Sequence, residues 1–287
     1  MNRHYSLSTL PFDNHELKAV IDTFKSGRIS QGPKVKKFEN EFAKKMGTKY
    51  GVAVNSGSSA NLIILEALKS LYNLRNGDEV IIPASTFATV AMPIIQVGLI
   101  PVFVDIDKNS LNMDPKELEK GINKKTKIIM TVHTLGNCQN IDEIQKIAKK
   151  NKILLFEDCC EAHGSSIKNK KVGSWGIVSA FSFFVAHNMT TGEGGMILTS
   201  NKKIMQLCKS LREFGRVEQN FNLKDRYYTD KHIQNYDKRY LFSNIGFNVR
   251  MSDISAAIGL VQLKKLEKNN KRRIENAKYL YKKLNKY

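Results

Sequence analysis

Short runs of branched and aromatic apolar residues alternate with amphipathic stretches through most of this chain. The runs are Tyr50–Val54, Val80–Ile82, Val102–Val104, Ile128–Val132 and Ile153–Phe156. Between them lie Ala60–Leu71, Thr86–Val97, Pro115–Ile122 and Ile141–Lys149, with apolar residues near helical spacing. An uninterrupted apolar strand has to be covered on both faces, and helices between successive strands supply that cover. The alternation therefore predicts an α/β fold: a mostly parallel sheet sandwiched by helices. With 287 residues, 41% of them apolar, the chain can bury one large core. Two further apolar runs, Ser179–Phe183 and Met196–Thr199, extend the sheet.

Helices flank this region. Asp13-Asn14-His15-Glu16 supplies an N-cap and an acidic third position for a helix to about Ser26, and Gly32-Pro33 opens a second. A last helical pattern begins near Ser252, where Ile254, Ile258, Val261, Leu263 and Leu266 recur. It is still running at Tyr287 without a closing turn, which leads us to expect a region beyond it.

No apolar run approaches the roughly 18 residues of a membrane span, and Met1–Ser6 carries no apolar signal core, so a cytoplasmic protein without membrane insertion is expected. The net charge of +19 suits anionic ligands, but the basic residues are scattered. The densest stretch, Lys264–Lys286, continues a surface helix, so nucleic acid is not expected as a partner. Cys138, Cys159, Cys160 and Cys208 match no zinc or iron–sulfur spacing, and we read them as small, reduced, mostly buried residues with no metal.

Several polar residues lie at predicted strand ends, where folds of this class bind ligands. Asn55-Ser-Gly-Ser-Ser-Ala60 follows a strand and opens a helix. It suits a phosphate, through backbone N–H groups and the Ser58 and Ser59 hydroxyls, or it is an ordinary Ser/Gly cap. Asp158 ends another strand, either capping the next turn or awaiting a cation. Phe87 reads as a core phenylalanine, His133 and His163 as structural histidines, and Asn248 with Arg250 as a polar pair in a turn.

Taken in order, these segments resemble the DegT/StrS-type sugar aminotransferases, which use pyridoxal phosphate (PLP) on an aspartate-aminotransferase-type (fold type I) large domain. The resemblance runs through Gly27–Pro33, Val54–Ala60, Ile82–Phe87, Glu157-Asp158, Ala162–Gly164, Phe181–Phe183, Gly192–Gly195 and Gly246–Arg250. It implies that Gly57, Ser58 and Ser182 hold the cofactor phosphate and that Phe87 stacks on the ring. Asp158 would pair with the ring nitrogen and Glu161 would also border the cofactor. Asn248 would reach the phosphate of the other subunit of a homodimer, and Gly27–Gln31 would lie near the nucleotide sugar. Residues 1–250 would be the cofactor-binding large domain, and 251–287 the helix leading to a small C-terminal domain.

One position departs from the aminotransferase pattern. Where the family carries a lysine five residues after the serine, this chain has His187. Lysine anchors PLP as an imine; histidine moves a proton but forms no imine. Glu161 stands where the aminotransferases usually carry Gln. Both features resemble the dehydratase branch, which works with the amine form of the cofactor, pyridoxamine phosphate. The resemblance implies C3 deoxygenation of an NDP-4-keto-6-deoxyhexose for dideoxysugar and surface-polysaccharide (lipopolysaccharide O-antigen) synthesis. His187 would be the base and glutamate an amino donor. An aminotransferase of the same family and a catalytically silent binding subunit are the alternatives. One type in this branch, acting on CDP-linked sugars, carries a cysteine cluster after a Gly-Arg; the residues after Gly215-Arg216 contain none, whereas Tyr236–Tyr240 look like that type.

Overall fold

The computed structural model describes residues 12–138, 140–217 and 240–285. Tyr236–Arg239 and most of the cysteine-free stretch after Arg216 lie outside them.

The predicted alternation is the observed one. Strands β1 (Tyr50–Val54), β2 (Glu79–Pro83), β3 (Ile100–Val104), β4 (Thr126–Val132), β5 (Leu154–Asp158), β8 (Val178–Ser182) and β9 (Gly195–Thr199) form one seven-stranded sheet in the order β1-β9-β8-β5-β4-β2-β3. Pairing is parallel from β3 through β8; β9 runs antiparallel to both β8 and β1. That reversal places Val54, Gly195 and Ser182 side by side at one edge of the sheet.

Both faces are covered, as the uninterrupted apolar strands require. On one face α3 (Gly57–Leu71), α4 (Ala88–Gln96) and α7 (Lys202–Arg212) pack over Val52, Val54, Ile82, Met130, Phe156 and Ala180. On the other, α2 (Pro33–Met46) and α8 (Asp253–Leu284) cover Ala53, Phe181 and Leu198, while α5 (Pro115–Gly121) and α6 (Ile141–Lys150) cover Ile81, Ile129 and Leu155. Helix α1 (Asn14–Lys25) packs on α8. Its capping box is formed as expected, with the Asp13 carboxylate accepting from the helix and Glu16 answering to the Asp13 N–H at 2.9 Å.

Two elements add to the sequence reading. Helix α7 has Asn201 as N-cap and buries Ile204, Leu207, Cys208 and Leu211. A short hairpin, β6 (Ser166–Ile167) and β7 (Lys170–Lys171), turns through Lys168 and Asn169, both with positive φ. It holds Lys168, Lys170 and Lys171 on the surface: Lys168 pairs with Asp142, and Lys170 lies 4.4 Å over the Trp175 ring.

Helix α2 has no side-chain cap of its own; Gly32 occupies the cap position. The carboxylate of Asp253, from the first turn of α8, instead accepts from Gly32, Lys34 and Val35 N–H at 2.8–3.1 Å. A carboxylate there satisfies otherwise orphaned donors and matches the helix dipole. It also ties the Gly27–Gln31 loop to α8, since Asp253 N–H donates to Ser30 O at 2.9 Å.

Of the thiols, Cys159 and Cys208 are buried and Cys138 and Cys160 half-buried, all free. His133 and Glu157 fill a structural role. The Glu157 carboxylate accepts from Gly173, Trp175 and Gly176 N–H at 2.7–2.8 Å and lies 3.0 Å from His133 Nε2. Cys159 is near enough to complete a trio of metal-ligating types, with ligand atoms within 4.8 Å of one another. Those hydrogen bonds already occupy the carboxylate, so the trio carries no metal reading.

Candidate active site

The candidate site is built where β1, β5 and β8 end. Helix α3 starts directly after β1, with Ser56 as N-cap; its Oγ accepts from Ser59 N–H at 3.0 Å. The Ser59 N–H is therefore committed within the helix, and the anion-binding donors of the first turn are those of Gly57 and Ser58. Gly57 has no room for a side chain: a Cβ there would lie 2.6 Å from Ser182 Cβ and 2.9 Å from Cys160 Sγ. The fold thus brings the turn after β1, the end of β8 and the turn after β5 together. The Cys160 thiol is held protonated, its pKa pushed well up by burial and then by the Asp158 charge.

Asp158 is 4% exposed. One oxygen accepts from Cys160 N–H at 3.0 Å, the other from the Asn61 side-chain amide of α3 at 2.9 Å. Asn61, also buried, went unmarked in the sequence, because a lone Asn inside an apolar helix carries no periodic signal. No lysine or arginine forms an ion pair with Asp158 among the described residues. A buried carboxylate with two neutral donors and no cation suits a cationic ring N–H.

Phe87 corrects the core reading. It stands at the N-cap of α4, just past β2, with 74% of its surface exposed, so its ring is presented rather than packed. Glu161 is exposed, and its carboxylate accepts from Leu135 N–H at 2.6 Å. Leu135 adopts a left-handed conformation (φ 53°) in the turn after β4.

His187 lies half-buried in the turn between β8 and β9, with Ser182 at the start of that turn. Burial lowers its pKa, while the charges of Glu161 and Asp158 raise it. Its ring faces Phe184 and His163 at centroid distances of 6.3 and 6.2 Å. His163 is fully buried among Phe42, Phe181 and Phe183, and neither ring nitrogen makes a hydrogen bond of acceptable geometry. Burial, then the neighbouring His187, brings its pKa down to about 3.

Asn248 is exposed, in the segment that returns beside β1. Val249 O accepts from Asn55 N–H at 2.9 Å, and Asn248 bridges to Glu213, which accepts from Gln31. The same edge of the sheet carries Gly57, Ser58, Asp158 and Ser182 at strand ends, with His187 in the turn after β8 and Phe87, Glu161 and Asn248 exposed on neighbouring turns.

Comparison with known proteins gives the family. Residues 11–287 match the DegT/DnrJ/EryC1/StrS aminotransferase family. The chain belongs to this family. Among its relatives, a GDP-4-keto-6-deoxy-D-mannose 3-dehydratase from Escherichia coli O55:H7 is 39% identical over 278 residues, covering 96% of this chain and 71% of the relative. A dTDP-4-dehydro-2,6-dideoxy-D-glucose 3-dehydratase from Saccharopolyspora spinosa is 37% identical, covering 88% of this chain and 57% of the relative. A solved structure of a GDP-4-keto-6-deoxymannose-3-dehydratase with a trapped PLP-glutamate geminal diamine superposes with a TM-score of 0.90 at 36% identity, covering 99% of this chain and 74% of that one. The family is PLP-dependent, and the mostly parallel seven-stranded sheet is its aminotransferase-type fold. Among the described residues no helix is long and apolar enough to cross a membrane.

Proposed function

We propose that this family member is a PLP/pyridoxamine-phosphate-dependent 3-dehydratase of an NDP-4-keto-6-deoxyhexose, acting in dideoxysugar and surface-polysaccharide synthesis. The observation that carries this reading is His187 in the turn after β8, within reach of the Glu161 and Asp158 charges, where the aminotransferases of the family place a lysine. Lys168, Lys170 and Lys171, close to it in sequence, stand on the β6–β7 hairpin and do not replace it.

Each residue has a defined task. The N–H groups of Gly57 and Ser58 and the Ser182 hydroxyl would hold the cofactor phosphate. Asp158, oriented by Asn61 and the Cys160 N–H, would pair with the protonated ring nitrogen. The exposed Phe87 would stack on the ring. When bound, the pyridoxamine form supplies an amine for a sugar ketone and a conjugated ring that accepts an electron pair. His187, neutral in its half-buried turn, accepts a proton at a ring nitrogen, and the charges of Glu161 and Asp158 stabilise it once charged. The same imidazolium returns the proton to the departing hydroxyl, which leaves as water. Without a lysine, the amine form is not diverted into a covalent link with the protein. Glutamate serves as the amino donor.

In this reading residues 1–250 are the cofactor-binding unit, and α8, packed on that unit as far as Leu266, leads out of it. The exposed Asn248 and Phe87 fit a site completed by a second copy of the chain, in a cytoplasmic homodimer.

The test is a mass spectrum of the sugar after incubating the protein with PLP, glutamate and GDP- or CDP-4-keto-6-deoxyhexose. The expected product is lighter by one oxygen, roughly 16 Da. An amino sugar, or an unchanged sugar, overturns the reading.

A further inference from the structure

The His187 turn is held by side chains of helix α8. Arg273 of α8 donates from Nη1 to Asn188 O at 2.9 Å and from Nη2 to His187 O at 3.5 Å, bracketing two successive carbonyls. One helical turn earlier, Asn270 makes two further contacts. Its Nδ2 donates to His163 O at 2.7 Å, and its Oδ1 accepts from the Asn188 side chain at 3.4 Å. Residues three apart share one helix face. This face of α8 therefore grips two separate chain segments: the turn after β5 that carries Asp158, Glu161 and His163, and the turn after β8 that carries Ser182 and His187.

Within its own turn His187 has little to fix it. The backbone contributes His187 N–H to Phe184 O at 3.1 Å, and the ring makes aromatic contacts at 6.2 and 6.3 Å. Gly164, at φ +87°, lets the first segment pass close under α8: a Cβ there would lie 3.0 Å from Asn270 Nδ2. A base that moves a proton must be held to within about half an ångström, and one backbone hydrogen bond does not do that alone.

We propose that Asn270 and Arg273 are positioning residues for His187. They form a clamp through which α8 sets the base against the Asp158–Glu161 edge. The proposal rests on the reading of His187 as the base, but its geometry belongs to the clamp alone. Arg273 is suited to the task because its planar fork reaches both carbonyls at once, whereas a lysine reaches one.

The experiment uses full-length Arg273→Ala, Arg273→Lys and Asn270→Ala variants. Ring resonances of His187 are followed by NMR in the cofactor-free protein, assigned with a His187→Asn variant, and dehydration kinetics are measured in the loaded enzyme. Arg273→Ala is expected to shift and broaden the His187 resonances and to lower kcat about tenfold, with KM changed less than about twofold. Arg273→Lys should recover part of both effects, and Asn270→Ala should reproduce them more weakly. Unshifted His187 resonances in Arg273→Ala overturn the clamp, as does an unchanged kcat with normal resonances. If the parent protein does not dehydrate the sugar but the resonances move as stated, the dehydratase reading falls and the clamp stands. If Arg273→Ala lowers the unfolding midpoint and Arg273→Lys fails to restore the resonances, the residue is merely structural and the proposal fails.

Discussion

The Asn61 side-chain amide donates to Asp158 Oδ2 at 2.9 Å, joining the start of α3 to the end of β5 inside the core. The same nitrogen also reaches Thr89 O at 3.2 Å, so one side chain links the carboxylate to the helix that Phe87 caps. Removing it would leave a buried carboxylate short of a donor and less firmly oriented toward a ring cation. Asn61→Ala is expected to weaken PLP binding about tenfold, roughly 1.4 kcal/mol, measured by absorbance titration. Unchanged affinity would show that Asp158 keeps its orientation without this bond.

Gly57 tests the phosphate turn. Its Cβ would collide with Ser182 Cβ and Cys160 Sγ. Gly57→Ala should cost about 1–3 kcal/mol of stability and more than tenfold in cofactor affinity, because the turn must move away from β8 to admit the methyl. A denaturation curve and a PLP titration of one preparation separate the two effects.

Glu161 and His187 can be tested through pH. Burial lowers the His187 pKa, and the Glu161 charge works against that. Glu161→Gln removes the opposing charge, so the His187 pKa drops further. The acid limb of kcat/KM, which reports protonation of the base, should move to lower pH. A limb that stays in place, or moves upward, would show that Glu161 does not act on His187.

His163 makes a prediction about stability. Its pKa in the folded protein is about 3, against about 6.5 when unfolded. Between those values the unfolded chain binds a proton that the folded one refuses, so stability is complete above about pH 6.5 and falls as pH drops towards 3. The slope approaches about 1.4 kcal/mol per pH unit for one proton. His163→Leu should flatten this part of the curve, read from urea midpoints at pH 7.5 and 5; an unchanged pH dependence would place the titration elsewhere.

The sequence by itself determined the sheet, the order of its covering helices and the types of residue at the strand ends. These features follow from local pattern. An apolar strand buried on both faces, a Ser/Gly turn opening a helix and a histidine before Gly192–Gly195 each announce themselves within a few residues. Helix α7 escaped because it lies beyond the clear alternation, and the exposure of Phe87 escaped because an aromatic after a strand looks the same in a core or at a cleft. Only the tertiary structure decided what meets what. The reversal of β9 sets Val54 and Ser182 on either side of Gly195, and Asp253 caps a helix far from it in the chain. Asn61 finds Asp158, and α8 reaches back to the His187 turn. These are single contacts between distant segments. No periodicity in the chain encodes them, because each depends on how packed layers bring two backbones within hydrogen-bond reach.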